Sequence, residues 1–429
     1  MVPNGWKDGR VGDLLLGLES GVSVNGEDRQ MKNGEKGVLK VSAVSYGIFD
    51  RNATKVIDSP NELHRAKTNP KQGQIIISRS NTEELVGASA YIERDFSDLF
   101  LPDKLWQTLP KPNSDMKWLS YVLASEHSRY TLSNLATGTS GSMKNITKGE
   151  LLGLKIGIPP LPEQRKIAKI LSTWDKAIAT NEKLIETSKQ QKKALMQQLL
   201  TGKKRLLNPE TGKVFEKDWE EVRLIDTAGK EKYSFTGGPF GSDLKSSDYT
   251  QSGVRIIQLQ NIGDGCFHNS YQIFTSQQKA NELASCNIFP GDIIISKMGD
   301  PVARATIIPA FHQRYLMASD GIRLAVDRSK YNNNFILEMV NYSNFRNNAL
   351  SKSTGSTRKR IGLTDLKNIR LKIPQLEEQQ KIASVLSIAN KEIEVLEAKL
   401  SHLKQEKKAL MQQLLTGKRR VKVEETEAA

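Results

Sequence analysis

The sequence predicts a mixed α/β protein built twice. Two duplicated mixed α/β domains are joined by two long helices, which pair as an intramolecular antiparallel coiled coil in a dumbbell of approximate two-fold symmetry. Three observations predict this. A long motif recurs: Ala194-Leu-Met-Gln-Gln-Leu-Leu-Thr-Gly202 returns as Ala409-Leu-Met-Gln-Gln-Leu-Leu-Thr-Gly417, and Glu163-Gln164-Arg165-Lys166-Ile167-Ala168 returns as Glu378-Gln379-Gln380-Lys381-Ile382-Ala383, both 215 residues on. The stretches between repeat more faintly. Gly73-Gln-Ile-Ile-Ile-Ser-Arg79 matches Gly291-Asp-Ile-Ile-Ile-Ser-Lys297, and residues 38–44 align with 256–262, both at an offset of 218. Finally, both near-identical segments carry apolar residues at alternating four- and three-residue steps.

The second helix shows that seam best: Ile382, Leu386, Ala389, Ile393, Leu396, Leu400, Leu403, Lys407, Leu410 and Leu414. In the first helix Asn181, Ser188 and Lys192 interrupt it. They read as a seam edge, with register-setting as the sharper alternative. Prolines (Pro159, Pro160, Pro162, Pro374) precede the helices, and Gly202 and Gly417 follow as caps. Antiparallel pairing follows from connectivity: a parallel pair would force the second domain to bridge a helix of roughly 58 Å. The divisions are then 1–162, helix 163–206, 207–377, helix 378–422 and an acidic tail, 423–429.

Within each domain, alternation and β-branched runs predict strands at 38–44, 75–78, 256–262, 293–296 and 322–326. Helices are expected at 118–132 and 334–350. Trp6 and Trp219 recur and read as core anchors.

The 429 residues carry a net charge of +15. Residues 163–206 and 378–422 hold +12 of it, so the larger domains are nearly neutral. A basic balance suggests a polyanionic partner. No apolar run reaches the ~18–20 residues of a membrane span, and Met1-Val2-Pro3-Asn4-Gly5-Trp6 shows no signal-peptide pattern. A cytoplasmic protein is the expectation. Cys266 and Cys286 read as packing residues, and five scattered histidines show no metal spacing.

Catalytic signatures are missing. There is no Asn/Asp-Pro-Pro-Tyr/Phe, no Gly-x-x-x-x-Gly-Lys-Ser/Thr and no helicase box. The glycines of Gly237-Gly-Pro-Phe-Gly241 do not make a phosphate loop, because proline removes an amide that such a loop needs. Base-reading candidates are polar positions: Lys40 and Ser42 match Gln258 and Gln260, each pair two apart and so on one strand face. Glutamine and lysine suit adenine and guanine edges, with a solvated strand face as the alternative. Arg79 and Lys297 end matching strands, with Ser80 and Arg304 as further candidates, and Arg358-Lys359-Arg360 is the densest basic cluster in either domain.

Taken together, the chain resembles, over essentially its whole length, the specificity subunits of type I restriction–modification enzymes. The resemblance rests on Pro159-Pro160-Leu161-Pro162-Glu163-Gln164 and its partner Pro374-Gln375-Leu376-Glu377-Glu378-Gln379, where the second proline is lost. It rests also on the repeated Leu-Met-Gln-Gln-Leu-Leu-Thr-Gly-Lys, the paired Ile-Ile-Ile-Ser strands, and the turns Gly138-Thr139-Ser140 and Gly355-Ser356-Thr357. The resemblance implies two target-recognition domains that each read half of a split, asymmetric double-stranded DNA target, spaced by the helices. It implies a non-catalytic subunit that directs adenine methylation or restriction. Two modification subunits would bring S-adenosylmethionine, and two restriction subunits ATP and Mg. Since like surfaces bind like subunits, the helix lysines Lys189, Lys193, Lys404 and Lys408 are expected to dock the modification subunits. The alternatives are a methyltransferase-only or combined cleavage system, a self-contained nuclease or methyltransferase, and a coiled-coil scaffold without DNA specificity.

Overall fold

A computed structural model describes residues 3–138, 143–356 and 358–423. The chain divides into two compact units, residues 1–182 with 398–429 and residues 183–397. Each unit takes one mixed α/β domain and a part of each long helix, Leu161–Leu199 and Leu376–Leu414.

The first unit is framed by a four-stranded antiparallel sheet in the order Leu15–Ser20, Leu105–Pro110, Ile75–Ser78, Ser89–Tyr91. Ile75, Ile76 and Ile77 are all buried, because both faces of this strand are covered. Ile75 and Ile77 pack with Trp106, Trp118 and Leu119, whereas Ile76 turns to Leu39, Ala90 and Leu105. A second sheet pairs Leu99–Phe100, Gly37–Leu39 and Thr54–Val56.

The second unit repeats the frame in the order Phe235–Gly237, Gly321–Leu324, Ile293–Ser296, Ala305–Ile307. Ile293 and Ile295 face Phe335 and Ile336, and Ile294 faces Ile257 and Tyr315. Its second sheet has five strands where the first unit has three.

Two expectations are corrected. The strands expected at 38–44 and 256–262 end early, at Leu39 and Ile257, and continue as the 3-10 turns Val41–Ala43 and Leu259–Asn261. In the second unit Asn261 drives the turn: its Oδ1 accepts the Gln258 N–H at 3.0 Å and its Nδ2 donates to the His268 and Tyr271 carbonyls. The helices expected at 118–132 and 334–350 are each two helices, Met116–Ala124 with Glu126–Leu135 and Asn333–Asn341 with Ser343–Ser351. Ser125 and Tyr342 leave helical backbone at ψ 150° and 147°, and Ser125 Oγ caps the helix that follows.

The long helices run antiparallel within each unit. Glu163 meets Arg420 and Asp175 meets Lys407 in the first; Ser188 meets Glu392 and Arg205 meets Glu378 in the second. Every seam position of both helices is buried or half-buried. Asn181 and Ser188 are buried, not at an edge: Ser188 Oγ reaches Glu392 Oε1 at 3.2 Å. Gly202 and Gly417 adopt φ +68° and +67°, the left-handed conformation of a helix cap. Among the described residues no helix is long and apolar enough to cross a membrane.

Candidate nucleic-acid interface

In the second unit several candidate residues converge on one turn. The Lys297 N–H donates to the Asp320 carbonyl at 2.7 Å, and the Lys297 carbonyl accepts from Ile361 at 3.0 Å. The second bond stitches the strand end to the segment holding Arg358, Lys359 and Arg360, where Thr354 and Arg360 exchange two backbone bonds of 2.9 Å. Arg360 pairs with the Asp320 carboxylate. Arg358 and Lys359 are exposed and have no ion pair among the described residues. Asp320 also lines a cleft of about 210 Å³ together with Phe240, Tyr249, Gln258, Gln260 and Ser319. Gln258 Nε2 donates to the Tyr249 hydroxyl at 3.2 Å, and Gln260 is exposed. Arg304 is half-buried, its carbonyl taken by the Ser296 N–H.

The first unit has the same stitch with other side chains. The Arg79 N–H donates to the Lys104 carbonyl at 3.0 Å, and the Arg79 carbonyl accepts from Ile146 at 2.9 Å. Ser42 is exposed. Lys40 is held by Asp28 at 2.6 Å, which keeps that carboxyl below its ordinary pKa. Neither pair, Lys40 with Ser42 nor Gln258 with Gln260, lies along one strand face, because the strands have already become turns. Ser80 is a correction. It sits in a short strand against Lys144–Asn145 and is 3% exposed, so its hydroxyl does not reach a base edge. Thr139, Ser140 and Thr357 lie outside the described residues.

The repeated helix ends turn out to be clamps. Arg205 Nε and Nη2 grip both oxygens of buried Glu378 at 2.7 and 2.8 Å, with the guanidinium 6.0 Å over the Trp219 ring. Arg420 grips Glu163 at 2.7 and 2.7 Å, 5.9 Å over Trp6. These carboxylates hold both guanidiniums above the ordinary arginine range. Gln164 and Gln379 act beside them. Each donates to the proline carbonyl before its helix and accepts the N–H of a helix-capping residue, Asp115 or Asn332. Trp6 donates Nε1 to Glu163 at 3.0 Å. In the sequence the arginines were only part of the +12 held by residues 163–206 and 378–422. The available signal was that Arg205 and Arg420, like Glu163 and Glu378, match at 215 residues.

Of the helix lysines, Lys189 pairs with Glu397 at 2.7 Å, Lys404 with Glu182 at 2.7 Å and Lys408 with Glu126 at 2.5 Å. Lys193 is exposed and has no ion pair among the described residues. Cys286 is buried, as packing requires, but Cys266 is exposed, and partial burial pushes both thiols upward, away from thiolate. No metal-binding cluster of His, Cys, Asp or Glu occurs among the described residues.

Two like units, each hung by an arginine–glutamate–tryptophan clamp on paired helices, define a duplicated two-domain protein. The family model for the type I restriction modification DNA specificity domain matches residues 3–190 and 216–405, and the chain belongs to that family. Its role is to target a type I restriction–modification system to DNA. It is 27% identical over 428 residues to the putative type I restriction enzyme MjaX specificity subunit of Methanocaldococcus jannaschii, covering 98% of this chain and 95% of that one. It is 25% identical over 430 residues to the MjaVIII specificity subunit of the same organism, covering 98% and 94%. The crystal structure of the type I S subunit from M. genitalium shares the fold, with a TM-score of 0.59 at 15% identity over 97% of this chain and 98% of that one.

Proposed function

We propose that each unit reads one half of a split, asymmetric DNA target, and that the helix faces dock two modification subunits, to which two restriction subunits add. Methylation of adenine and restriction would then be carried out by those partners. One observation carries the reading: the four-stranded frame and the helix clamps recur in both units, while the residues on the turns beside them differ. Lys40, tied to Asp28, stands where the second unit has Gln258, yet the carbonyl of each accepts the N–H three residues on, from Ala43 and from Asn261. Identical domains on a two-fold would read an inverted repeat; domains with unlike turns read unlike halves. The second unit offers amide donors and acceptors at Gln258 and Gln260 in the cleft that Asp320 lines, and exposed cations at Arg358 and Lys359 just before the Asp320-bound Arg360, chemistries suited to base reading and to phosphate anchoring.

The test is methylation mapping of DNA exposed to this chain assembled with its modification subunit. The expected result is a site of two different half-sequences around an unread gap. A continuous or perfectly palindromic site would overturn the reading.

A further inference from the structure

We propose that Phe240 is a specificity residue of the second unit, packing its ring against the C5-methyl of a thymine. The inference rests on the DNA-reading role proposed above for the cleft around Asp320. Phe240 is 82% exposed, the largest exposure among the large hydrophobic residues described. A lone surface phenylalanine is ordinary, and three further observations set this one apart.

First, its loop is held. The Gly238 N–H donates to the Gly321 carbonyl at 2.8 Å, Pro239 restricts the next φ, and the Phe240 carbonyl accepts from Asp243 at 2.9 Å. A Cβ on Gly238 would overlap the Ala318 carbonyl oxygen, so strand and turn lie backbone to backbone here. The ring is therefore presented from a held loop, which lowers the ordering cost of binding.

Second, it stands at the cleft that holds Gln258 and Gln260, beside the Asp320 turn that anchors Arg360. Glutamine reads adenine through N6 and N7, and an apolar side chain reads the methyl of thymine. The two chemistries side by side suit an A·T-containing half-site in the major groove.

Third, the fold does not require it. In the first unit Gly21 occupies the place of Gly238: a Cβ there would overlap the Leu101 carbonyl, 217 residues before Ala318. Two residues further on, the first unit has exposed Ser23, whose carbonyl accepts from Arg65. The same close glycine approach is built without an aromatic ring two places on, so the ring belongs to what distinguishes the units.

The experiment uses the full chain assembled with its modification subunit. Wild-type methylation mapping first defines the two half-sites; failure to find a split site would count against the proposed function itself. With the site in hand, the map is repeated for Phe240→Ser, which installs the first unit's residue. Binding is then measured to the target duplex and to one with uracil replacing thymine in the affected half. We expect Phe240→Ser to relax one half-site at an A·T pair, leave the other half unchanged and weaken binding roughly tenfold or more, the factor for withdrawing a buried aromatic ring. Uracil should weaken wild-type binding about fourfold per contacted methyl and leave the serine variant indifferent. Unchanged stringency in Phe240→Ser, equal relaxation of both halves, or wild-type binding blind to uracil would each overturn the assignment while leaving the split-target reading in place. Melting of the variant should match wild type, since the ring is exposed.

Discussion

In the first unit the residue two places beyond the sheet-edge glycine is Ser23, and in the second it is Phe240. The first unit ties Lys40 to Asp28, whereas the second leaves Gln258 beside a cleft. The second sheet grows from three strands to five. Against those differences, the central contacts that fasten domain to helix recur, although Trp6 Nε1 donates to Glu163 with no matching bond from Trp219. Glu163 and Glu378 take the same two guanidinium nitrogens, and Gln164 and Gln379 bridge the same proline carbonyl and helix cap. What divides constant from variable is burial of charge. A carboxylate fully inside tolerates little change, because losing its partner costs its whole desolvation, whereas a turn in water changes freely.

The largest effect expected from that contrast lies at the clamps. Arg205→Ala strands Glu378, whose side chain is 0% exposed, and should cost about 3 kcal/mol. Arg420→Ala should cost less, about 1–2 kcal/mol. Arg420 is 43% exposed where Arg205 is 20%, and Trp6 Nε1 still donates to Glu163 after the change. Urea unfolding followed by tryptophan fluorescence reads both, since Trp6 and Trp219 sit under the arginines. Equal losses would mean that the clamps are energetically alike and that exposure does not grade them.

Next come the sheet-edge glycines. Gly21→Ala and Gly238→Ala each force a Cβ onto a backbone carbonyl, and each should cost about 1–3 kcal/mol. Here the units should behave alike, because the frame is shared. A neutral result in one unit alone would show that its strand can shift where the other cannot.

How much of this was legible in the sequence follows from the range of the forces involved. The seam, the glycine caps and the Ile-Ile-Ile-Ser strands were readable because each is set by residues a few places apart, and the repeat because the two copies keep the same residues in the same order. The turns after Leu39 and Ile257 were not: apolar alternation continues through them, and the bonds that fold Gln258 back come from the Asn261 side chain. Ser125 hides a helix break within a run that is otherwise helical. The clamps were hidden differently. Arg205 finds its partner 173 residues away and Arg420 finds its own 257 residues away, so each counted only as one more cation in the basic helix segments. The burial of Ser80, in a short strand paired with Lys144–Asn145, depends on residues more than 60 places away and so was not readable. Gln258, Gln260 and Lys297 were proposed by type and repeat position and Arg358 to Arg360 by charge density; that Gln258, Gln260, Lys297 and Arg360 gather around Asp320 was not readable.

A smaller effect on stability, but a clear one on binding, is expected at the second unit's turn. Arg358→Gln with Lys359→Gln should leave unfolding within about 0.5 kcal/mol of wild type, because both residues are exposed. In the assembled complex the pair should weaken DNA binding across sequences. The slope of log affinity against log salt should also flatten by about 0.9 for each lost phosphate contact. An unchanged slope would remove these residues from the phosphate surface. Arg360 is the poorer probe, since its loss also frees the Asp320 carboxylate.

The smallest stability effect is expected where the units agree on the outside. Lys189 and Lys404 are the same residue in two copies, and so are Lys193 and Lys408, each 215 apart. Lys189 with Glu397 and Lys404 with Glu182 are pairs about half exposed on both sides, worth roughly 0–1 kcal/mol each. Lys408 pairs with Glu126, but Lys193 is kept with no ion pair among the described residues. Stability therefore explains little of why the lysine is the same in both copies. A surface presented twice to two copies of one partner explains it better. Neutralising all four to glutamine should shift the melting midpoint by only a few degrees, yet weaken capture of the modification subunit in a co-purification assay as salt is raised. On the proposed reading, DNA binding by whatever complex still forms should keep its wild-type salt slope, since that reading puts the phosphate contacts at Arg358 and Lys359. If assembly instead survives intact and the salt slope falls, these lysines lie against DNA, and their identity in both copies reflects two stretches of the same backbone, not two copies of one subunit.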